Sequence, residues 1–250
     1  MKRYRNLKEL PLFEGVNPEI LEEMQQRGRI RSMKKGTVCF RAAEKQDMIY
    51  ILLDGQAISY TLTRCGSRKI IFVHGGGELL NESIIEMEKT TIFCDLIRNS
   101  VMFIISNREF CQLMERDFSL VKAVMRMQER KLWRTSHQLK NTLGSIYLEK
   151  KLAAKIWKLA RDFGIEAEDK SVAIDIQLSI TFLADFLGAP RETTSRVCKN
   201  LVERGLISME KKTITVRNMD CLARFYKNRC GTDSVCTGPA RACQNIDEEF

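Results

Sequence analysis

The stretch LSITFLADFLGAPRETTSRVCKNLVERG, residues 178–205, decides the fold, because it reads as two short helices joined by a tight turn. Ser179 is placed to cap the first helix, and Phe182, Ala184 and Leu187 give it apolar positions. Gly188 ends it where a sharp corner needs positive φ. Pro190 opens the second helix, since its missing N–H would be unpaired at the first helical position in any case. Val197, Leu201 and Val202 are its expected inward stripe, which leaves Arg191, Glu192, Ser195 and Arg196 on the other face. That face suits base edges: an arginine fork matches guanine O6 and N7, and a carboxylate accepts from the cytosine N4 amine. The alternative is a solvated face of local ion pairs. GLISMEKKTITV, residues 205–216, then reads as strand, Lys-Lys turn and strand. A basic hairpin beside a helix pair has the form of a wing.

The arrangement resembles the winged-helix domain of the CRP/FNR family of bacterial transcription regulators, whose recognition helix carries R-E-T-x-x-R or E-T-x-S-R. Residues Arg191-Glu192-Thr193-Thr194-Ser195-Arg196 overlay both patterns. The resemblance implies double-stranded DNA as partner and a palindromic operator with TGTGA-like or TTGA-like half-sites. It places Arg191 and Arg196 on guanines and Glu192 on a cytosine. Thr193, Ser195, Lys199, Lys211 and Lys212 complete the expected DNA-contacting set, with the lysines, Arg204 and Arg217 placed to reach phosphates. RNA polymerase is a further expected partner if the protein activates.

Composition fits this reading. The chain has 250 residues, enough for two domains with cores, and its 44% hydrophobic and 29% charged content is that of a soluble globular protein. A net charge of +9 favours a polyanionic partner through counterion release. The longest purely apolar run, VMFII at 101–105, is far too short to span a bilayer, so the expectation is a cytoplasmic protein with no membrane partner. No enzyme is expected: there are two histidines, His74 and His137, and no nucleophile elbow, P-loop or paired-histidine zinc motif. His74 is expected at the surface or barrel rim.

Upstream, Asn17-Pro18 opens a short helix, and from about residue 30 short apolar runs separated by turn signals follow: TVCF, MIYILLDG, AISYTL, RKIIFV, TTIFCDL and SVMFII. Their spacing predicts an all-β barrel. LLDGQAISY resembles the family's strand-DG-strand hairpin, and GGGELLNES, residues 75–83, its phosphate-binding cassette. The expected fold is α+β: an amino-terminal double-stranded β-helix barrel of the jelly-roll, cyclic-nucleotide-binding type over 1–106, a dimerisation helix over 107–143, a winged helix-turn-helix domain over 144–220, and a cysteine-bearing tail over 221–250. In nucleotide-binding relatives an Arg-Ser pair follows the cassette, but here those positions fall on Glu88-Lys89 or Lys89-Thr90. Lysine lacks arginine's bidentate fork, so cyclic AMP is not the expected effector. The candidate effector residues are Gly77, Glu78, Leu79, Lys89, Thr90 and Ser136. With the clamp lost, an apolar aromatic ligand, as in some halorespiration regulators of the family, is one alternative.

The long helix, expected from Asn107 to Thr142, carries Val121, Met125, Leu132 and Leu139 at spacings of 4, 7 and 7, with Gln128 and Thr135 completing a heptad seam suited to a twin copy. Leu120, Val124 and Met127 form a second stripe facing the barrel, and Gly144-Ser145 is the expected hinge. Beyond it, residues 146–164 form an amphipathic helix.

Nine cysteines in a reducing compartment argue against structural disulfides. Cys39, Cys65, Cys94, Cys111 and Cys198 are scattered singly, whereas Cys221, Cys230, Cys236 and Cys243 fall within a Gly- and Pro-containing tail as C-x8-C-x5-C-x6-C. Four thiolates can hold an iron–sulfur cluster or a zinc ion, and reversible disulfide chemistry or no role are the other readings. The function expected is a dimeric, sequence-specific transcription regulator under an effector or redox signal. The alternative is a ligand-binding barrel that signals through protein contacts.

Overall fold

The apolar runs of the amino-terminal half become strands of two antiparallel sheets in a computed structural model that describes residues 3–85, 89–140 and 148–227. The strands are β1 (Arg29–Met33), β2 (Val38–Phe40), β3 (Met48–Asp54), β4 (Gln56–Leu62), β5 (Arg68–Gly75), β6 (Phe93–Leu96) and β7 (Ser100–Ser106). One sheet has the order β1-β7-β3 and the other β2-β6-β4-β5. Strand β1, sequence RIRSM, is not among the expected runs; it is an edge strand with four of its residues exposed, so it lacks the apolar alternation that marks a half-buried strand. The expected hairpin at Asp54-Gly55 is corrected: β3 and β4 lie in different sheets, and the pair forms a corner between them. Gly55 takes φ +109°, and a Cβ there would come within 2.1 Å of the Ser100 hydroxyl oxygen.

Two 3-10 turns, Leu7–Glu9 and Pro11–Phe13, and helix α1 (Pro18–Arg27) close one end of the barrel. Leu7, Leu10, Phe13 and Met24 pack there against Ile51 and Phe103. The single long helix expected over 107–142 is corrected to two, α2 (Asn107–Arg116) and α3 (Phe118–Lys140). Asp117 is extended (φ −141°, ψ 110°), and its carboxylate accepts from Ser119 N at 2.6 Å and Leu120 N at 3.2 Å, which caps α3. Leu120, Ala123 and Val124 bury the barrel-facing side of α3. Gly144-Ser145 lies outside the described residues.

The carboxy-terminal half contains α4 (Leu148–Phe163), β8 (Gly164–Glu166), β9 (Val172–Ile174), α5 (Ile180–Leu187), α6 (Arg191–Glu203), β10 (Ile207–Glu210), β11 (Thr213–Val216) and α7 (Met219–Lys227). The wing is part of a four-stranded sheet, β10-β11-β9-β8. Helix α7 packs on α4 and runs across the boundary expected between residues 220 and 221. One apolar core joins the two halves: Ile58, Tyr60 and Ile70 of the barrel meet Phe163, Phe186 and Leu187. Polar contacts reinforce it. Arg98 pairs with Asp175 at 2.8 Å, and the Gln56 amide donates to the Asp175 carbonyl. Among the described residues no helix is long and apolar enough to cross a membrane.

Candidate nucleic-acid interface

Helix α5 starts at a serine cap, with the Ser179 hydroxyl oxygen accepting from Phe182 N at 3.1 Å. It ends at Gly188, in the left-handed region at φ 72° and ψ 41°. Pro190 stands one position earlier than expected, as the N-cap of α6 rather than its first residue (φ −56°, ψ 146°). The expected inward stripe of α6 is also corrected. Val197 and Leu201 are buried, but Val202 is exposed, and Thr194 and Cys198 complete an i, i+3, i+4, i+7 stripe. Thr194 Oγ1 donates to the Pro190 carbonyl at 3.0 Å, so this polar residue is satisfied inside.

Arg191, Glu192, Ser195 and Arg196 are exposed together on the outer face of α6, with Thr193 half-buried at its edge. Lys199 is exposed one turn further and pairs loosely with Glu203 at 3.6 Å. Lys211 and Lys212 form the wing tip at φ 45° and 72°, a conformation that matches the twist of the flanking strands. The Lys212 carbonyl accepts from Leu178 N at 2.7 Å, which ties the wing to the start of α5. Arg204 is turned toward α4: it lies 3.7 Å from Glu149 and its guanidinium stands 5.7 Å from the Phe225 ring centroid. The protein therefore presents an exposed helix with two arginines and one glutamate, backed by a buried stripe and flanked by a basic hairpin.

A family model described as a Crp-like helix-turn-helix domain matches residues 150–225, and one described as a cyclic nucleotide-binding domain matches residues 30–117. The chain belongs to the CRP/FNR family of transcription regulators. It is a DNA-binding regulator and not an enzyme. The fumarate and nitrate reduction regulatory protein of Escherichia coli K12 is 25% identical over 199 residues, covering 79% of this chain and 78% of that one. The probable transcriptional regulator flp of Lacticaseibacillus casei is 23% identical over 217 residues, covering 86% and 95%. In fold the chain is similar to FixK2 from Bradyrhizobium japonicum, with a TM-score of 0.68, 18% identity, and coverage of 79% of this chain and 96% of that one.

In this CRP/FNR chain the cassette is held by backbone bonds to β3: Gly77 N donates to the Leu52 carbonyl at 2.7 Å and Leu80 N to the Tyr50 carbonyl at 2.9 Å. Gly77 needs its φ of +98° to make that approach. The six residues singled out in the sequence do not share one cavity. Leu79 is fully buried in the core, Thr90 Oγ1 donates to Glu82 at 2.9 Å, and Lys89 and Ser136 are exposed. The cavity that Gly77 and Glu78 do line, of about 250 Å³, is closed instead by Tyr4 and by Arg126, Arg130 and Arg134 of α3. His74 is corrected from surface to interior: its ring nitrogens lie 2.8 Å from Ser59 Oγ and 2.8 Å from Glu78 Oε2. Burial opposes ionisation of Glu78, but the His74 hydrogen bond, with Arg134 and Lys131 nearby, holds its carboxyl below the usual range. Lys131 donates to the carbonyls of Leu79 at 3.1 Å and Asn81 at 2.8 Å, and burial pushes its ammonium down to about 8.

Of the four tail cysteines only Cys221 is among the described residues. It is half-buried on α7, with the Arg224 guanidinium 3.4 Å from its sulfur. Cys230, Cys236 and Cys243 lie outside the described residues. Among the described residues no group of three or more His, Cys, Asp or Glu side chains is arranged to hold a metal ion.

Proposed function

We propose that the regulator binds, as a homodimer, a palindromic operator with TGTGA-like or TTGA-like half-sites, under an effector or redox signal other than cyclic AMP. The observation that carries this reading is the joint exposure of Arg191, Glu192 and Arg196 on one face of α6, whose opposite face is buried. Two guanidinium forks and a carboxylate at that spacing match guanines on one strand and cytosine on the other. Dimerisation is supported by Phe118, Met125 and Leu132, large apolar side chains exposed at seven-residue intervals along α3. Two recognition helices would then enter successive major grooves about 34 Å apart. Against cyclic AMP stands the absence of an arginine at the Lys89-Thr90 position. Contact with RNA polymerase belongs to this reading where the protein activates.

A gel shift of the full chain on TGTGA and TTGA palindromes, with a scrambled duplex as competitor, tests the operator. Binding one palindrome at least about tenfold more tightly than the scrambled duplex, well inside the range for specific sites, is expected. Equal binding to all three would refute it and favour a barrel that signals through protein contacts. The redox arm rests on a cluster held by Cys221, Cys230, Cys236 and Cys243. Protein prepared without oxygen should be coloured and contain iron; colourless, iron-free protein removes that arm.

A further inference from the structure

Arg126, Arg130 and Arg134 recur one turn apart along α3, with Lys131 beside them. Like charges at that spacing repel, so such a stripe calls for counter-charge. Arg126 and Arg130 are exposed and Lys131 and Arg134 half-buried, and all four line the 250 Å³ cavity between the amino-terminal turns, the cassette and α3.

The cations in the cavity exceed the charge available to meet them. Two carboxylates line it, Glu14 and Glu78, against four cationic side chains, an excess of two positive charges. Arg126 donates to the backbone carbonyl of Glu14 at 2.8 Å, and Lys131 is engaged with cassette carbonyls. Glu78 is shared: His74 Nδ1 lies 2.8 Å from Oε2, and Arg134 Nη1 lies 3.9 Å from the same oxygen. Arg130 takes part in no ion pair among the described residues. The remaining wall is apolar or aromatic, made by Tyr4, Leu12, Ala123 and Met127. Cationic forks on one side and carbon on the other define an amphiphilic anion. The excess of two charges favours a dianionic phosphate over a monoanionic carboxylate, since the guanidinium fork accepts either.

We propose that this cavity binds a small organic phosphate, its dianionic head between Arg130 and Arg134 and its carbon body against Tyr4, Leu12 and Met127. The phosphate is taken from the helix side, by residues far in sequence from the cassette. A ligand there touches the amino-terminal turns, the cassette and α3 at once. Its regulatory consequence rests on the effector-controlled reading above: it would favour whichever arrangement of α3 brings the three together. Binding itself does not depend on that reading.

Isothermal calorimetry on the full chain at low salt tests the site with phenyl phosphate, benzoate and benzyl alcohol. Saturable binding of one phenyl phosphate per chain is expected, weakening as salt rises, with benzoate weaker and benzyl alcohol silent. Arg130→Gln should weaken phenyl phosphate about tenfold or more, the scale of a missing charge-assisted hydrogen bond, while Arg130→Lys retains part of the affinity. Absence of saturable phenyl phosphate binding overturns the proposal. So does equal affinity for benzoate, or an Arg130→Gln variant that binds as tightly as wild type. The operator gel shift, run with and without phenyl phosphate, separates the two readings. Operator binding with no phosphate binding sinks this site alone, and phosphate binding with no operator binding in either condition sinks the operator reading while leaving the site.

Discussion

At the wing tip two lysines occupy backbone space that suits glycine or asparagine. Lys211 and Lys212 take φ of 45° and 72°, the left-handed region in which a Cβ is crowded. Such residues persist when something other than turn stability holds them, and exposed ammonium groups beside the recognition helix supply a reason. Replacing the pair by Asn-Gly should raise stability by about 1–2 kcal/mol, read as a higher thermal midpoint. The same variant should bind the operator more weakly, with the salt slope shallower by about 0.9 for each phosphate that is no longer neutralised. A slope identical to wild type would mean that neither lysine reaches DNA. Arg196 belongs at the same scale. Arg196→Ala should cost about 1–3 kcal/mol of operator affinity and relax the preference at one base pair, and an unchanged selected-site motif would contradict its role. These residues are legible in the sequence because recognition depends on residue type at fixed helical spacing. His74 is not: its burial follows from the pairing of β4 with β5, which sets Ser59 beside it, and register cannot be read from either strand alone.

Helix α3 is amphipathic on two sides, and the two are only partly separable in the sequence. The barrel-facing stripe of Leu120 and Val124 follows helical periodicity and is buried. The heptad seam is narrower than its spacing suggests. Val121 packs against the barrel core, and Gln128 donates to the Glu82 carbonyl at 3.0 Å, so both serve their own subunit. What stays exposed is Phe118 at 69%, Met125 at 54% and Leu132 at 69%. The break before Phe118 is hidden in the sequence because Asp117 fits a continuous helical pattern as an outward polar residue; only its hydrogen bonds reveal a cap. The surroundings of the α3 arginines are hidden for a related reason. Periodicity places them on a face but says nothing about a cassette, some fifty residues upstream, arriving opposite that face. For the seam, Leu132→Glu should shift the protein toward monomer in light scattering. The dimer dissociation constant should rise about a hundredfold or more, as expected for losing two buried leucines, one from each subunit, at about 1.5–3 kcal/mol each. An unaltered mass would place the dimer interface elsewhere.

Across the whole molecule the barrel and the DNA-binding half share a core, and a lysine sits at the junction. Lys155 of α4 lies over the Phe186 ring of α5 at 3.8 Å, and Lys69 of β5 is among its neighbours. Burial, followed by Lys151, Lys158 and Lys69, pushes the Lys155 ammonium down to about 7. In the unfolded chain the same group titrates near the ordinary lysine value of about 10.4. Between those values the unfolded state binds the extra proton, so stability rises with pH from about 7 toward 10 and is lowest where both states are charged, below 7. Lys155→Met keeps the stem packed on Phe186 and removes the charge. It should therefore raise the thermal midpoint most at pH 6, and the gain should shrink steadily toward pH 10. An equal gain at pH 6 and pH 10 would mean that Lys155 is solvated in the folded protein, and that the junction between the two halves is looser than the shared core of Tyr60, Ile70 and Phe186 requires.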